Sequence, residues 1–128
     1  MPKQTLKLLE DKFAIHSFAE DESIPTEVFK APIYFIGKTY EELSIVCPEE
    51  LTLDSIERED GWMALEVMGP LAFSMTGIMS QISGSLASAD ISIFAISTFD
   101  TDYILVKQNT VEEAIKTLRK DGYKVIVD

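Results

Sequence analysis

WMALEVMGPLAFSMTGIMSQISGSLASADISIFAISTFDTDYILVKQNTVEEAIKTLRKDGYKVIVD, residues 62–128, predicts an alternation of strands and helices with almost no residues left over. WMALEVM alternates in the manner of a strand and stops at Gly69-Pro70. Apolar residues then recur at helical spacing from Leu71 to Leu86, which predicts one helix with Gly77 and Gly84 in its interior. ISIFAIS and YILVK predict two strands, joined by a turn at TFDTD.

A second helix follows these strands. Thr110 and Glu113 have the spacing of a capping box, and Gly122 follows the last apolar residue of the helix, with Arg119 and Lys120 in the final turn. YKVIV then predicts the last strand. The order strand, helix, strand, strand, helix, strand predicts an α+β, ferredoxin-like βαββαβ sheet with both helices on one face. A fold of this kind does not by itself name a function.

The composition limits the partners that we expect. The chain has 128 residues and a formal charge of −11, so it should repel nucleic acid and anionic lipid. No apolar run approaches the roughly 20 residues that a membrane helix needs, and the N-terminal residues lack the apolar segment of a signal peptide. The single cysteine, Cys47, cannot form an internal disulfide. We therefore expect a cytoplasmic protein that contacts neither nucleic acid nor membrane.

The first half of the chain contains a weaker copy of part of the second half. At a shift of 60 residues, IYFIGKTYEELSIV (Ile33–Val46) aligns with IFAISTFDTDYILV (Ile93–Val106). Both segments have the pattern of a strand, a polar turn and a strand, which predicts two pseudo-repeats, the first of them degenerate. We place the degenerate half at residues 1–60 and the regular one at residues 61–128, with a junction near Glu57–Gly61.

The start of the first half does not predict a long helix. Phe13, Ile15 and Phe18 have strand spacing, and Asp11-Lys12 has the composition of a turn. Pro25 is followed by Thr-Glu-Val-Phe, which predicts one short helical turn, since proline is tolerated at a first helical position.

The segments GPLAFSMTGIMSQISGSLASADISIFAISTFDTDYILV and ELSIVCPEE resemble the ACT domain, the small regulatory module of amino-acid metabolism. The resemblance is closest to the tandem-ACT group that includes the arginine sensor CASTOR and the regulatory part of aspartokinase. It implies a non-catalytic regulatory or sensor module that binds a free amino acid, or a similar small carboxylate, between two ACT units, and that forms a homodimer. We expect no cofactor, and one histidine and one cysteine cannot form a conventional zinc site.

An amino-acid receptor needs anion donors and cation acceptors close together, because its ligand carries a carboxylate and an ammonium on one carbon. The amide groups at a helix start suit the carboxylate, and hydroxyls and carboxylates suit the ammonium. The predicted ligand-binding residues are therefore those of the helix start, Gly69, Pro70, Leu71, Ala72, Phe73 and Ser74, and those of the strand turn, Ser97, Thr98, Asp100, Thr101 and Asp102. That these two stretches lie close together is implied by the resemblance alone.

Other interpretations stay open. Gly-Pro before a helix is common in ordinary turns, and Ser97, Thr98 and Asp102 are also typical of turns that bind no ligand. A ligand-free dimerisation or interaction module is the main alternative to the sensor. His16 and Cys47 are the residues that would suggest an enzyme, but neither forms a recognisable catalytic motif with other residues of the sequence. We therefore expect no catalytic activity.

Overall fold

The computed structural model describes residues 3–68 and 77–128. In chain order its elements are β1 (Thr5–Phe18), a 3₁₀ turn (Thr26–Lys30), β2 (Phe35–Lys38), β3 (Leu43–Pro48), β4 (Glu57–Val67), α1 (Ile78–Ser88), β5 (Ile93–Ser97), β6 (Asp102–Lys107), a second 3₁₀ turn (Gln108–Thr110), α2 (Val111–Lys120) and β7 (Lys124–Ile126).

The chain divides by its internal contacts into two compact units. Unit 1 consists of Met1–Glu10 and Met63–Asp128, and unit 2 consists of Asp11–Trp62. The two units divide β1 and β4 between them, so each unit contains part of both strands. The domain division at residues 60 and 61 stays a prediction, and these units differ from it because the first ten residues group with residues 63–128.

Unit 1 has the predicted α+β, ferredoxin-like succession of strands and helices, with an additional strand in its sheet. β5 pairs with β6, β6 lies beside β4, and β4 lies beside β1. The first residues of β1 also pair in parallel with β7, from Thr5 opposite Lys124 to Lys7 opposite Ile126. The first residues of β1 therefore lie between β7 and β4. The sequence did not predict this pairing, because a long-range parallel contact leaves no trace in local spacing.

The core of unit 1 forms where the two helices cover one side of the sheet. Ile82 and Leu86 of α1 and Ala114 and Leu118 of α2 are buried in one cluster with side chains from the strands. The strand members of this cluster include Leu6, Leu65, Val67, Ile104, Val106 and Val125. Burying each such leucine or isoleucine stabilises the fold by about 1.5–3 kcal/mol. The prediction of both helices on one face is thus confirmed.

The predicted start and interior of the first helix were partly wrong. Gly77 has φ +79°, a left-handed conformation, and α1 begins only at Ile78. A single helix from Leu71 to Leu86 is excluded because a left-handed residue interrupts helical geometry. Gly84 does lie inside α1, but a Cβ there would meet nothing within 4 Å, so this glycine does not serve close packing. Leu71–Ser74 lie outside the described residues.

The second helix ends as predicted and begins differently. Gly122 follows it with φ +99°, and Arg119 and Lys120 lie in its last turn. Thr110 is the N-cap residue, but its hydroxyl donates to the carbonyl of Lys107, 3.0 Å away, and makes no capping hydrogen bond. The capping box was therefore wrong, because the preceding 3₁₀ turn engages the threonine.

Unit 2 is a small sheet with the strand order β2-β3-β1-β4. Its core contains Phe18, Val28, Leu43, Ile45, Cys47 and Leu53. The 3₁₀ turn after Pro25 confirms the predicted helical turn. The turn at Asp11-Lys12 was wrong, since β1 continues through both residues and the Lys12 carbonyl accepts a hydrogen bond from the Glu49 amide. Glu57–Gly61 form the start of β4, so the predicted junction near them falls within a strand and stays a prediction.

The two hairpins with similar sequences are both antiparallel, but they correspond at a shift of 59 residues rather than 60. Phe35 pairs with Val46 in unit 2, and Phe94 pairs with Leu105 in unit 1. A shift of one residue reverses which side chains face the core. The predicted alignment was therefore one residue out of register, and whole-unit pseudo-repeats stay a prediction.

Candidate functional site

The turn between β5 and β6 contains all the predicted site residues that the structure describes. The Thr98 amide donates to the Thr101 carbonyl at 2.8 Å, and the Thr101 amide donates to Thr98 Oγ1 at 3.2 Å. Ser97 Oγ donates to Asp102 Oδ1 at 2.5 Å. Ser97, Thr98 and Asp100 are exposed, and Thr101 and Asp102 are half-buried. These hydroxyls stabilise the turn, as the alternative interpretation expected, and each oxygen keeps lone pairs that can accept a further hydrogen bond.

Strand alternation tells which side of the sheet the Ser97–Asp102 pair lies on. Side chains of directly opposed residues share a face, and successive residues alternate between faces. Ile104 and Val106 belong to the core beneath the helices, and they lie opposite Ala95 and Ile93. Ser97 lies two residues after Ala95, Asp102 lies two residues before Ile104, and the two are directly opposite each other, so their side chains share the face of these core residues. Their polar pair therefore lies on the helix side of the sheet, at the end of the hairpin.

Thr101 fixes the position of this turn relative to β4. Its hydroxyl donates to the carbonyl of Val67, the last residue of β4. Gly69, where the predicted helix-start stretch begins, is two residues further along the chain. Thr101 therefore lies beside the end of β4, from which the chain continues into Gly69–Ser74. Gly69, Pro70, Leu71, Ala72, Phe73 and Ser74 lie outside the described residues, so their role as ligand-binding residues stays a prediction.

A second polar pair, which the sequence did not predict, lies across β4 and β6. Tyr103 Oη donates to Glu66 Oε2 at 3.2 Å. Burial raises the pKa of the Tyr103 phenol, and the neighbouring Glu66 carboxylate raises it further. Glu66 is the one acidic residue in the apolar segment WMALEVM, and this isolated charge is the feature of the sequence that could have marked it as a candidate site residue. Its partner could not be inferred without the strand order.

The electrostatic character of the turn favours a cationic group. Asp100 and Asp102 place two carboxylates within three residues, and the Ser97–Asp102 segment has no basic side chain. Two large apolar side chains are exposed in this part of unit 1, Phe99 by 78% and Met68 by 42%. The turn can therefore accept hydrogen bonds from an ammonium beside an apolar surface. It offers no charged donor for a carboxylate, which would need backbone amides.

His16 and Cys47 are both buried in unit 2. Burial raises the pKa of the Cys47 thiol, which disfavours a reactive thiolate. Within residues 3–68 and 77–128, no group of three or more His, Cys, Asp or Glu side chains could hold a metal ion. None of the helices in that same part of the chain is long and apolar enough to cross a membrane.

Comparison with known proteins gives matches over most of the chain. The model of the ACT domain family matches residues 57–120, and a second family model, for an N-terminal domain, matches residues 11–52. The cytosolic arginine sensor for mTORC1 subunit 1 of Bos taurus is 42% identical over 78 residues, which are 59% of this chain and 23% of the bovine protein. The chain thus spans about a quarter of the length of this relative.

Among the solved structures that this chain resembles, two illustrate the similarity over 92% or more of its length. An X-ray structure of an Agobacterium tumefaciens protein has a TM-score of 0.90 and 32% sequence identity, covering 100% of this chain and 96% of that one. The regulatory subunit of aspartate kinase from Thermus thermophilus has a TM-score of 0.65 at 11% identity, covering 92% of this chain and 97% of the subunit. The second similarity concerns the fold alone.

Proposed function

Because this chain belongs to the ACT domain family, of the type found in CASTOR proteins and aspartokinase regulatory subunits, we propose that it is a non-catalytic sensor of a free amino acid or a similar small carboxylate. The bovine relative is named as a cytosolic arginine sensor. By analogy we also propose a cytoplasmic location and a homodimer whose association the ligand changes. A ligand acts allosterically only if it binds one arrangement more tightly than another.

The observation that carries the proposal is the hydrogen bond from Thr101 to the end of β4. It holds the polar turn beside the chain that leads into residues 69–74. We assign the ligand ammonium to the carboxylate of Asp102, which Ser97 already orients. We assign the ligand carboxylate to backbone amides within Leu71–Ser74, since a carboxylate in this acidic turn would otherwise be repelled.

Thermal unfolding with each of the twenty amino acids tests whether a ligand binds. An amino acid present at a hundred times its dissociation constant should stabilise the folded protein by about 2.7 kcal/mol. Isothermal titration calorimetry then gives the affinity of any amino acid that raises the melting temperature. If no amino acid raises it, the proposal of an amino-acid sensor is wrong.

Asp102→Asn tests the assignment of the site, because it removes the carboxylate charge and keeps the shape of the side chain. We expect the variant to lose at least tenfold in affinity, about 1.4 kcal/mol. Asp90→Asn is the matched control, since it makes the same charge change in the turn that precedes β5, whereas the candidate site follows β5. Equal affinity for the two variants would exclude Asp102 from the site.

A ligand-free dimerisation module is the second candidate. It is favoured by the position of β5, the last strand of the sheet order in unit 1, because such an edge can pair with another chain. Light scattering after size exclusion distinguishes the two. A dimer that forms equally with and without every amino acid favours this candidate, and a ligand-dependent mass favours the sensor.

A further inference from the structure

His16, the only histidine of the chain, lies on β1 in the core of unit 2 and is fully buried. Its Nδ1 atom is 3.0 Å from Ser55 Oγ. Its Nε2 atom is also buried and has no hydrogen-bond partner. Buried polar atoms are nearly always paired, so an unpaired ring nitrogen calls for a physical reason.

Ser55 belongs to a segment that covers the core of unit 2, which we define as residues 49–56. Leu53, in the middle of this segment, is buried in the same cluster as Cys47. Arg58 holds the start of the segment by donating to the carbonyls of Glu49 and Leu51. The amide of Ile56 donates to the Ser17 carbonyl at 2.8 Å and holds its end. Between these attachments, Ser55 gives the segment a direct bond to a titratable side chain.

The surroundings of His16 disfavour a protonated ring. Burial lowers the pKa of the imidazole, the Arg58 guanidinium lowers it further, and the Asp60 carboxylate opposes these effects. Asp60 is engaged by Arg58 in an ion pair. β3 contributes Ile45, opposite His16, and the neutral thiol of Cys47, and Phe18 stacks at 6.2 Å on the ring. A proton on Nε2 would create a second cation near Arg58, with no acceptor for its N–H.

We propose that His16 is an acid-sensitive tether of the 49–56 segment. The neutral ring fits the buried position and keeps the segment closed over the core. Protonation makes the closed state unfavourable, so the segment opens and exposes Cys47. Because the pKa in the closed state lies below the ordinary value of about 6.5, the open state binds the extra proton. The stabilisation that the neutral ring gives to the closed state is therefore present above pH 6.5 and is lost progressively as the pH falls from 6.5 towards the lowered pKa.

Cys47 provides the measurement, because it is the only thiol of the chain and it is fully buried in the core that the segment covers. We would follow its reaction with 4,4′-dithiodipyridine, which reacts with thiols in acid as well as at neutral pH, from pH 7.5 to pH 5. The matched variant is His16→Asn, whose amide nitrogen can reach Ser55 as Nδ1 does but does not titrate. Dividing the wild-type rate by the variant rate at each pH removes the intrinsic pH dependence of the thiol and the effect of all carboxylates.

The expected ratio is constant above pH 6.5 and rises below it, by up to about tenfold per pH unit. A ratio that stays constant to pH 5 would overturn the proposal. Should the asparagine variant fail to fold, Ser55→Ala gives an independent test, because it removes the bond to the segment and leaves the ring. Labelling of Cys47 at pH 7.5 should then be at least tenfold faster than in the wild type, and an unchanged rate would show that Ser55 does not hold the segment.

Discussion

The β2–β3 hairpin of unit 2 and the β5–β6 hairpin of unit 1 have the same turn, but they differ at the residue that follows it. The amide of Thr39 donates to the Glu42 carbonyl at 2.9 Å, and the Glu42 amide donates to Thr39 Oγ1 at 3.1 Å. Thr98 and Thr101 make the same two bonds in unit 1. The next residue is Leu43 in unit 2 and Asp102 in unit 1.

This difference separates a packing position from a binding position. Leu43 is 1% exposed and belongs to the core of unit 2. Asp102 holds the equivalent place in unit 1, on the helix side of the sheet, where Ser97 donates to its carboxylate. Leucine completes the core in one hairpin, whereas the polar pair in the other leaves acceptor oxygens near the surface. We therefore expect the ligand site in unit 1 to have no counterpart at the turn of unit 2.

The largest expected effect comes from truncating the residue after each turn. Leu43→Ala should destabilise the protein by about 2–5 kcal/mol, because it leaves a cavity in the core of unit 2. Asp102→Ala should cost about 1 kcal/mol or less, since it removes one hydrogen bond at the edge of a core. Urea unfolding measured with both variants gives the two free energies.

Leu43→Met is the control for this pair, because it keeps volume and apolar character and should cost less than about 1.5 kcal/mol. Similar losses for Leu43→Ala and Asp102→Ala would contradict the assigned register, because they would place both side chains in equally packed surroundings.

Gly77, which precedes α1, and Gly84, which lies inside it, give a smaller effect and test where α1 begins. Gly77→Ala should destabilise the protein by about 1–2 kcal/mol, because alanine disfavours the left-handed conformation seen at φ +79°. Gly84→Ala should stabilise it by about 0.5–1 kcal/mol, because it lies inside the helix with open space around the new methyl group. The melting temperatures of the two variants, compared with that of the wild type, measure both effects. If both variants were stabilised, α1 would extend through Gly77, as its apolar spacing alone suggested.

The elements that the sequence predicted best are those whose signal is local. Val111, Ala114, Ile115 and Leu118 recur at helical spacing, and the structure buries all four on one face of α2. The start of α1 was missed because the apolar spacing continues through Gly77, and spacing does not report a backbone angle. The pairing of β1 with β7 was missed because its two strands lie at opposite ends of the chain.

Part of the candidate site could also be predicted from the sequence, because its signal is local. The hydroxyls and carboxylates between Ser97 and Asp102 are recognisable as a polar turn within a few residues of sequence. Glu66 and Tyr103 were not recognisable as a pair, because their contact depends on β4 lying beside β6. The one-residue error in the hairpin alignment has a similar origin. The alignment at a shift of 60 was chosen for its three identities. The turn hydrogen bonds instead make Thr39 and Thr98 equivalent, which corresponds to a shift of 59.

The smallest expected effect tests whether the two turns are equivalent. Thr39→Val and Thr98→Val each remove a hydroxyl that accepts from a backbone amide in an exposed turn, so each should cost about 0.5–1.5 kcal/mol. Thr52→Val is a control, because it makes the same change at an exposed residue outside both turns. Urea unfolding of the three variants should give equal losses for the first two and almost none for the control. A loss confined to Thr98→Val would mean that the threonine hydroxyl stabilises the turn of unit 1 but not that of unit 2. The two hairpins would then be equivalent only in their backbone pairing.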